Sequence, residues 1–507
     1  MDTVLPAVRR ALDPDTQSTF DRRVAEQAER LRAELEAGAF DSAGAAVGLE
    51  LELYAVDETG GITPIDETVF ADGEYAREIG LHNVELNASP QRFDPDGVAA
   101  QADELKSAVG ELRETLSSRG QQLICDGMWT IPPAEGSLSY LDTVDSHEGI
   151  QIAANMPTKP RYCAMDNTLV REAGGGIEID VPGARHRFST ILVESLTSSI
   201  QPHLQIPKTA QFPTYFNAAI RTLGPVLALS TNSPFLPGDL YNAVDDPQQL
   251  VEETPHELRI PVFEGTVNVG GRTKACCPRD IETPTDIVDR VVEDWTCGPF
   301  LGEWTETPTE EIAEAVDSYW EFIHKYGTYW RWVRPIIGGD ASDGDGGSLR
   351  IEYRPLPTQP TVDDALALHW LTTGLVRGIV AADHPLVELD WADAERGFYN
   401  AVDDGLDADL FWITVDGEST SDPAVIYPEL FDLARRGLKA QGHTESEATQ
   451  LIGPMVDRWE RGETPSQWKK AHVREQLDDG NPLPEAITAM QTSYNRHSGR
   501  GVPFADW

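Results

Sequence analysis

Gly48-Leu49-Glu50-Leu51-Glu52-Leu53 alternates apolar and polar residues without a break. On an extended chain, successive side chains point to opposite faces. The three leucines therefore share a face suited to a core, and Gly48, Glu50 and Glu52 share the other. Two strand rises separate the glutamates by about 6.6–7 Å. Like charges so placed repel unless water or a cation lies between them. Two readings stand open: the acidic outer face of a sheet, or one wall of a cation site.

Three further stretches repeat the pattern. Asn83-Val84-Glu85-Leu86-Asn87 puts Glu85 between two amides on the polar face. In Ile200-Gln201-Pro202-His203-Leu204-Gln205-Ile206 the polar face carries Gln201, His203 and Gln205. Arg350-Ile351-Glu352-Tyr353-Arg354 supplies a carboxylate flanked by two guanidiniums. One such strand is ordinary. Four predict an α+β fold, with a curved antiparallel sheet whose concave face holds carboxylates, amides, one histidine and arginines. Pro202 predicts an edge position or a bulge.

The remainder reads as mainly helical. Phe20, Val24, Ala28, Leu31 and Leu35 recur at helical spacing and predict a helix over 15–38, capped by Asp15 and ended by Gly38. Helices are also expected over 97–118, 191–197, 214–230, 284–294, 308–325 and 362–382, and a strand over 122–129. The expected organisation is a catalytic domain over 1–384 and a helical region over 385–507 packed on it. Asp340, Asp343 and Asp345 lie in the glycine-rich stretch 338–347, read as a solvated loop or a lid; the spacing of a calcium loop fails there.

Composition narrows the function. Of 40 basic residues only eight are Lys, against 85 acidic ones, for a net charge of −45 spread along the chain. A dispersed acidic surface poor in Lys fits a protein kept soluble in a salt-rich halophilic cytoplasm. It argues against nucleic-acid binding, which needs a basic footprint. The chain shows no run of about 18 apolar residues and no signal-peptide pattern at its start, so a cytoplasmic location without a membrane is expected. Cys125, Cys163, Cys276, Cys277 and Cys297 form no C-x-x-C pair, and no disulfide framework is expected. Neither a P-loop nor a dinucleotide-binding glycine motif occurs. Converging carboxylates with arginines opposite suit Mg²⁺-assisted phosphoryl transfer from ATP to a carboxylate.

The motifs together resemble the glutamate–cysteine ligase family and its broader carboxylate–amine ligase branch. They are Gly48 to Glu52; Arg161-Tyr162 with Met165 after Met156-Pro157; Ser198-Ser199-Ile200-Gln201-Pro202-His203; Ala228 to Phe235; and Ile351-Glu352-Tyr353-Arg354-Pro355 running into Thr358 to Val362. They keep the family's order over roughly residues 45–380. The resemblance implies a glutamine-synthetase-like funnel, ATP, two or more Mg²⁺ ions, and an acyl-phosphate on the γ-carboxylate of glutamate. An amine, cysteine in the family's named reaction, then attacks. Carried over by position, Glu50, Glu52, Glu85 and Glu352 become metal ligands, with Glu78 a weaker candidate. Gln201 and His203 become metal or nucleotide contacts, and Arg354 the arginine beside the transferring phosphoryl group. Glu52 and Arg354 are the catalytic candidates. Arg259 is assigned to the α-carboxylate of glutamate, and Arg161 and Tyr162 to the amine side. A hydrogen-bonded core histidine at 203 and a surface ion pair at 259 remain the plain alternatives. A different amine acceptor, or a non-catalytic member that binds nucleotide or amino acid, is the alternative function. The oligomeric state is not legible.

Overall fold

The computed structural model describes residues 1–507 except 2, 72, 74, 305–318 and 341–346, and also leaves out the side chains of 339 and 340. The four alternating stretches lie in one six-stranded antiparallel sheet. Its strands are β1 (Ala46–Val56), β2 (Asn83–Arg92), β3 (Gln122–Ile124), β4 (Ile200–Gln205), β5 (Val333–Asp340) and β6 (Gly347–Tyr353). The order across the sheet is β2-β1-β4-β6-β5, and β3 pairs with the end of β1.

Register decides which side chains meet. Glu50 stands opposite Asn87 on β2 and Gln201 on β4, and Glu52 opposite Glu85. His203 faces Gly48 on one side and Glu352 on the other. Glu352 in turn faces Arg334 on β5. Directly opposed residues share a face, so all these groups occupy one surface of the sheet. The other surface is apolar. Leu49, Leu51 and Leu53 are at most 1% exposed, and each contributes roughly 1.5–3 kcal/mol by burial. Helices Pro95–Ser117, Phe212–Ser230 and Val362–Ala382 pack against the sheet.

Pro202 is not on an edge: β4 is a central strand. The bulge alternative describes it better. Ile206 N donates to Leu349 O, whereas Ile200 N donates to Leu356 O. Six steps along β4 thus match seven on the other chain, and the extra residue lies opposite the proline, which has no N–H to give. A bulge bends its strand and re-aims side chains, and here the widened segment contains Arg354. Pro335, by contrast, sits on edge strand β5, where a missing donor is tolerated.

Several expected boundaries shift. The first long helix runs Pro14–Ala37, and its cap is Asp13, whose carboxylate accepts from Asp15 N at 2.9 Å. Gly38 closes it with φ 72°. Only Gln122–Ile124 of the expected strand is extended, and the 191–197 segment is a 3₁₀ turn, Ile191–Leu196. Of the expected 308–325 helix, Trp320–Tyr326 is helical and 308–318 falls outside the described residues. So does most of the 338–347 loop, whose described ends belong to β5 and β6. All five cysteines are free thiols.

Helix Val362–Ala382 is long and apolar enough to cross a membrane, but 78% of its window is buried inside the protein. It lies against helix Pro423–Ala440 at a seam of glycines. A Cβ on Gly437 would come within 1.9 Å of Gly374 O, and one on Gly378 within 1.9 Å of Leu433 O. The main core continues past residue 384, to Met455. Two fully buried ion pairs fasten the later helices: Arg458 to Asp364 at 3.2 Å and Lys469 to Asp126 at 2.5 Å.

Candidate active site

The polar face carries two groupings of potential ligands. Glu52, Glu78 and Glu85 each bring a carboxylate oxygen within 4.8 Å of the others. Glu50, His203 and Glu352 do the same on the β4 and β6 side. The sequence-predicted carboxylates are therefore divided: Glu52 and Glu85 in one grouping, Glu50 and Glu352 in the other.

In the first grouping the acids lean on one another. Burial, then the charge of Glu78, pushes the Glu52 carboxyl up from 4.5 to about 7, against a backbone hydrogen bond from Ser199. Burial, then Glu50 and Glu78, holds the Glu85 carboxyl well above its ordinary value. Glu194, in the 3₁₀ turn, is raised the same way by burial and by Glu78 and Glu52. Ser199 N donates to Glu52 Oε2 at 2.6 Å, and Gln201 Nε2 to Oε1 at 3.0 Å. Asn87 Nδ2 donates to Glu85 Oε1 at 2.7 Å. Oxygen-only donors that repel when ionised are the donor set a hard divalent cation takes, so these residues fit Mg²⁺.

The second grouping is already neutralised. Arg334 donates to Glu352 through Nε (2.5 Å) and Nη2 (2.8 Å), and Arg354 Nη1 adds a third bond at 3.0 Å. Burial opposes ionisation of Glu352, but Arg334 and then Arg354 and His203 hold its carboxyl well below the ordinary range. Arg354 Nη1 also donates to Gln201 Oε1 at 2.6 Å, so Gln201 links Glu52 to Arg354. Arg350 Nε donates to His203 Nδ1 at 3.1 Å and its Nη1 to Gly338 O at 3.0 Å. His203 Nε2 lies 3.1 Å from Glu50 and 3.8 Å from Glu352, yet is buried without an aligned hydrogen bond. A cleft of ≈ 290 Å³ opens beside it, lined by Gly48, Glu50, Asn87, His203, Gln205 and Arg350.

The remaining candidates lie farther out. Arg259 is 3% exposed; it donates to Glu257 (3.3 Å) and to the carbonyls of Arg354 and Pro355, which braces the chain behind Arg354. Tyr162 OH donates to Arg77 O at 3.2 Å, next to Glu78. Arg161 packs over Gly327, and its charge acts on His324 and Cys297. Sequence reading missed Arg334 and Glu194. Arg334 stands in Trp332-Val333-Arg334-Pro335-Ile336, where the proline masks the alternation. Glu194 was findable as the one acid in the apolar run Leu192-Val193-Glu194-Ser195-Leu196.

A family model described as glutamate–cysteine ligase family 2 matches residues 46–487. No curated protein matches the chain. Among solved structures, a bifunctional glutathione synthetase from Pasteurella multocida aligns at 14% identity over 90% of this chain and 52% of its own, with a TM-score of 0.48. This chain thus spans about half the length of that protein. A glutamate–cysteine ligase from Francisella tularensis, in complex with AMP, aligns at 12% identity over 92% of this chain and 94% of its own, with a TM-score of 0.41.

Proposed function

Given that the chain belongs to glutamate–cysteine ligase family 2, we propose that it is an ATP- and Mg²⁺-dependent ligase joining the γ-carboxylate of glutamate to an amine, with cysteine the first acceptor to test. The observation that carries this reading is the meeting, at one sheet face, of mutually repelling carboxylates (Glu52 and Glu85 on the strands, Glu78 from the segment before β2) with guanidiniums centred on Arg354. Phosphoryl transfer to a carboxylate brings two anions together. It needs cationic groups on both sides of the reacting phosphorus.

In the first step a γ-carboxylate oxygen of glutamate attacks the terminal phosphorus of ATP. The bond to the bridging oxygen breaks, and ADP leaves. Arg354, held by Gln201 and Glu352, faces the phosphoryl oxygens and offsets the charge that builds there. In the second step the amine nitrogen attacks the acyl carbon, inorganic phosphate departs, and the amine proton leaves with it. Glu52, Glu78 and Glu85 would hold Mg²⁺, which neutralises triphosphate charge when bound. Arg259 buttresses Arg354 and lies within electrostatic reach of Glu52, consistent with steering the α-carboxylate of glutamate. Tyr162 and Arg161 are kept as amine-side candidates. The polar face would form one wall of a funnel, with the helices after 385 as its outer brace. The −45 charge suits a salt-rich cytoplasm.

The test is ADP release by purified protein in KCl with Mg²⁺, ATP and glutamate. Release is expected only when an amine is added, and cysteine is compared with a panel of amino acids. No ADP with any acceptor would overturn the ligase reading. Raising KCl from about 0.1 M to about 1 M is expected to raise the unfolding temperature, since screening relieves self-repulsion.

A further inference from the structure

Ala228 to Phe235 carries part of the family resemblance, and its polar groups gather round one fully buried carboxylate. Ser233 Oγ donates to Glu257 Oε1 at 2.7 Å, and Asn232 N donates to Oε2 at 3.0 Å. A third bond comes from Arg259 Nε at 3.3 Å. Ser233 Oγ also accepts from Arg259 N at 3.2 Å, so Ser233 and Glu257 together hold the backbone and the guanidinium of one residue.

The other end of that guanidinium reaches the strand bulge. Glu352 stands opposite His203. Three residues further on, the same register would set Ile200 against Pro355, in the phase in which Ile206 N meets Leu349 O. Ile200 N goes instead to Leu356 O. The slip takes from Pro355 O its ladder donor, and Arg259 Nη2 supplies one from helix Arg259–Val267, reaching the carbonyl of Arg354 as well. Arg354 N donates to Trp332 O at 2.9 Å, and the Arg259 guanidinium lies 5.7 Å from the centre of the Trp332 ring. Both peptide groups of Arg354 are thus held, its N–H by Trp332 and its carbonyl by Arg259. Fixing them fixes the direction of the side chain, whose Nη1 lands on Gln201 and Glu352.

We propose that Glu257 is a positioning residue: with Ser233 it orients Arg259 as the replacement for the lost ladder donor, and so aims Arg354 into the site. The proposal rests on the ligase reading for its kinetic test, but a crystallographic test of the same variants does not.

Glu257→Gln turns one acceptor oxygen into a donor that must face either Asn232 N or the Ser233 and Arg259 donors. In crystals of the whole protein, Arg354 Nη1 should then leave Gln201 and Glu352; Arg354 in its wild-type place would overturn the proposal. The kcat for ADP release should fall ~100-fold, the order expected when a reacting group is misplaced by about 1 Å. Half-saturation by Mg²⁺ and the KM for glutamate should change little. A loss taken wholly in the KM for glutamate would overturn the proposal. In metal-free buffer the variant should bind an imido analogue of ATP ~10-fold more weakly by calorimetry, the size of one lost charge-assisted hydrogen bond. Unchanged affinity would overturn the proposal.

Tyr427→Phe controls for stability, since it deletes a buried hydrogen bond to Pro225 O (3.1 Å) in the helical layer. It should lower the unfolding temperature and leave kcat unchanged; a loss of kcat equal to that of Glu257→Gln would mean that stability alone is at work and would overturn the proposal. Should Glu257→Gln fail to fold, Ser233→Ala decides by the same readings, at ~10-fold in kcat for the loss of one donor to Glu257. Failure of the wild type to release ADP would count against the ligase reading and leave the crystallographic test standing.

Discussion

On the β2 and β1 side of the polar face, Glu52, Glu78 and Glu85 stand together, and among the described residues Glu52 and Glu85 accept from amide and backbone groups and from no guanidinium. On the β4 to β5 side, Glu50 and Glu352 stand in the same strand chemistry but among arginines. Both sides offer carboxylates from adjacent strands, half-buried on the first and in part fully buried on the second; the company differs as well, and the proton affinities part accordingly. Glu52 and Glu85 are raised, and Glu352 is lowered. A carboxylate in a cleft is thus not a metal ligand by identity. Its neighbours decide whether it still lacks a positive charge.

The hardest blow to this contrast is Glu52→Gln. The amide keeps the shape, removes one repelling charge and removes a cation ligand. Turnover should fall about 10³-fold or more, as for loss of a group that stabilises transition-state charge. The unfolding temperature without Mg²⁺ should hold or rise. If ADP release is unchanged, the Glu52 side is not where phosphoryl transfer is supported. Arg334→Met attacks the other side. It leaves the buried Glu352 with Arg354 alone, and removing one partner of a buried pair costs about 3 kcal/mol or more. The denaturation midpoint should drop, while stabilisation by Mg²⁺ stays as in the wild type. A parallel loss of the Mg²⁺ effect would mean that the two groupings act as one.

Proton linkage gives a gentler test. The Glu52 carboxyl is raised to about 7 in the fold from 4.5. The fold therefore favours its protonated form, and that contribution is fully present below about 4.5 and lost as pH rises through about 7. Mg²⁺ must displace the proton, so its apparent affinity should fall about tenfold per pH unit below that point. Unfolding temperatures with and without Mg²⁺ should therefore diverge as pH rises through about 7. Glu352 has the opposite sign: its contribution is present above its unfolded value and lost only as pH falls below it, with no Mg²⁺ dependence across neutrality. A Mg²⁺ effect flat across neutral pH would break the assignment of the ion to Glu52, Glu78 and Glu85.

The sheet and its polar face were legible because a period of two leaves a direct mark on sequence. Glu50, Glu52, Glu85, Gln201, His203, Glu352 and Arg354 were all found that way: the first six sit on strands, and Arg354 follows directly on the end of β6. What sequence did not disclose was pairing. Nothing in Arg350-Ile351-Glu352-Tyr353-Arg354 says that Glu352 faces Arg334, because that contact depends on the register of β6 against β5. Nor does spacing say that Glu194, from a 3₁₀ turn far along the chain, lies within reach of the charges of Glu78 and Glu52. Pro202 left an edge and a bulge equally open, because a missing N–H is tolerated in either place, and the pairing of β4 decides for the bulge. The family resemblance named four carboxylates alike; their division into two electrical environments needed the neighbours.

The smallest expected effect comes from behind the sheet. Thr358 Oγ1 donates to Glu52 O at 2.7 Å, and Asn232 Nδ2 donates to Thr358 O at 2.8 Å. Asn232 O accepts from Lys469, and Tyr494 OH accepts from Asn232 Nδ2. A chain of hydrogen bonds thus runs from the last helices to the backbone of one ligand-bearing residue. Thr358→Val keeps the shape and deletes the hydroxyl, leaving the Glu52 carbonyl without that donor, at about 1 kcal/mol. If the late helices brace the Glu52 side alone, half-saturation by Mg²⁺ should rise a few-fold with little change in binding of the imido-ATP analogue in metal-free buffer. An equal shift in both would show that the brace holds the whole face, and that the contrast between its two sides is electrical but not mechanical.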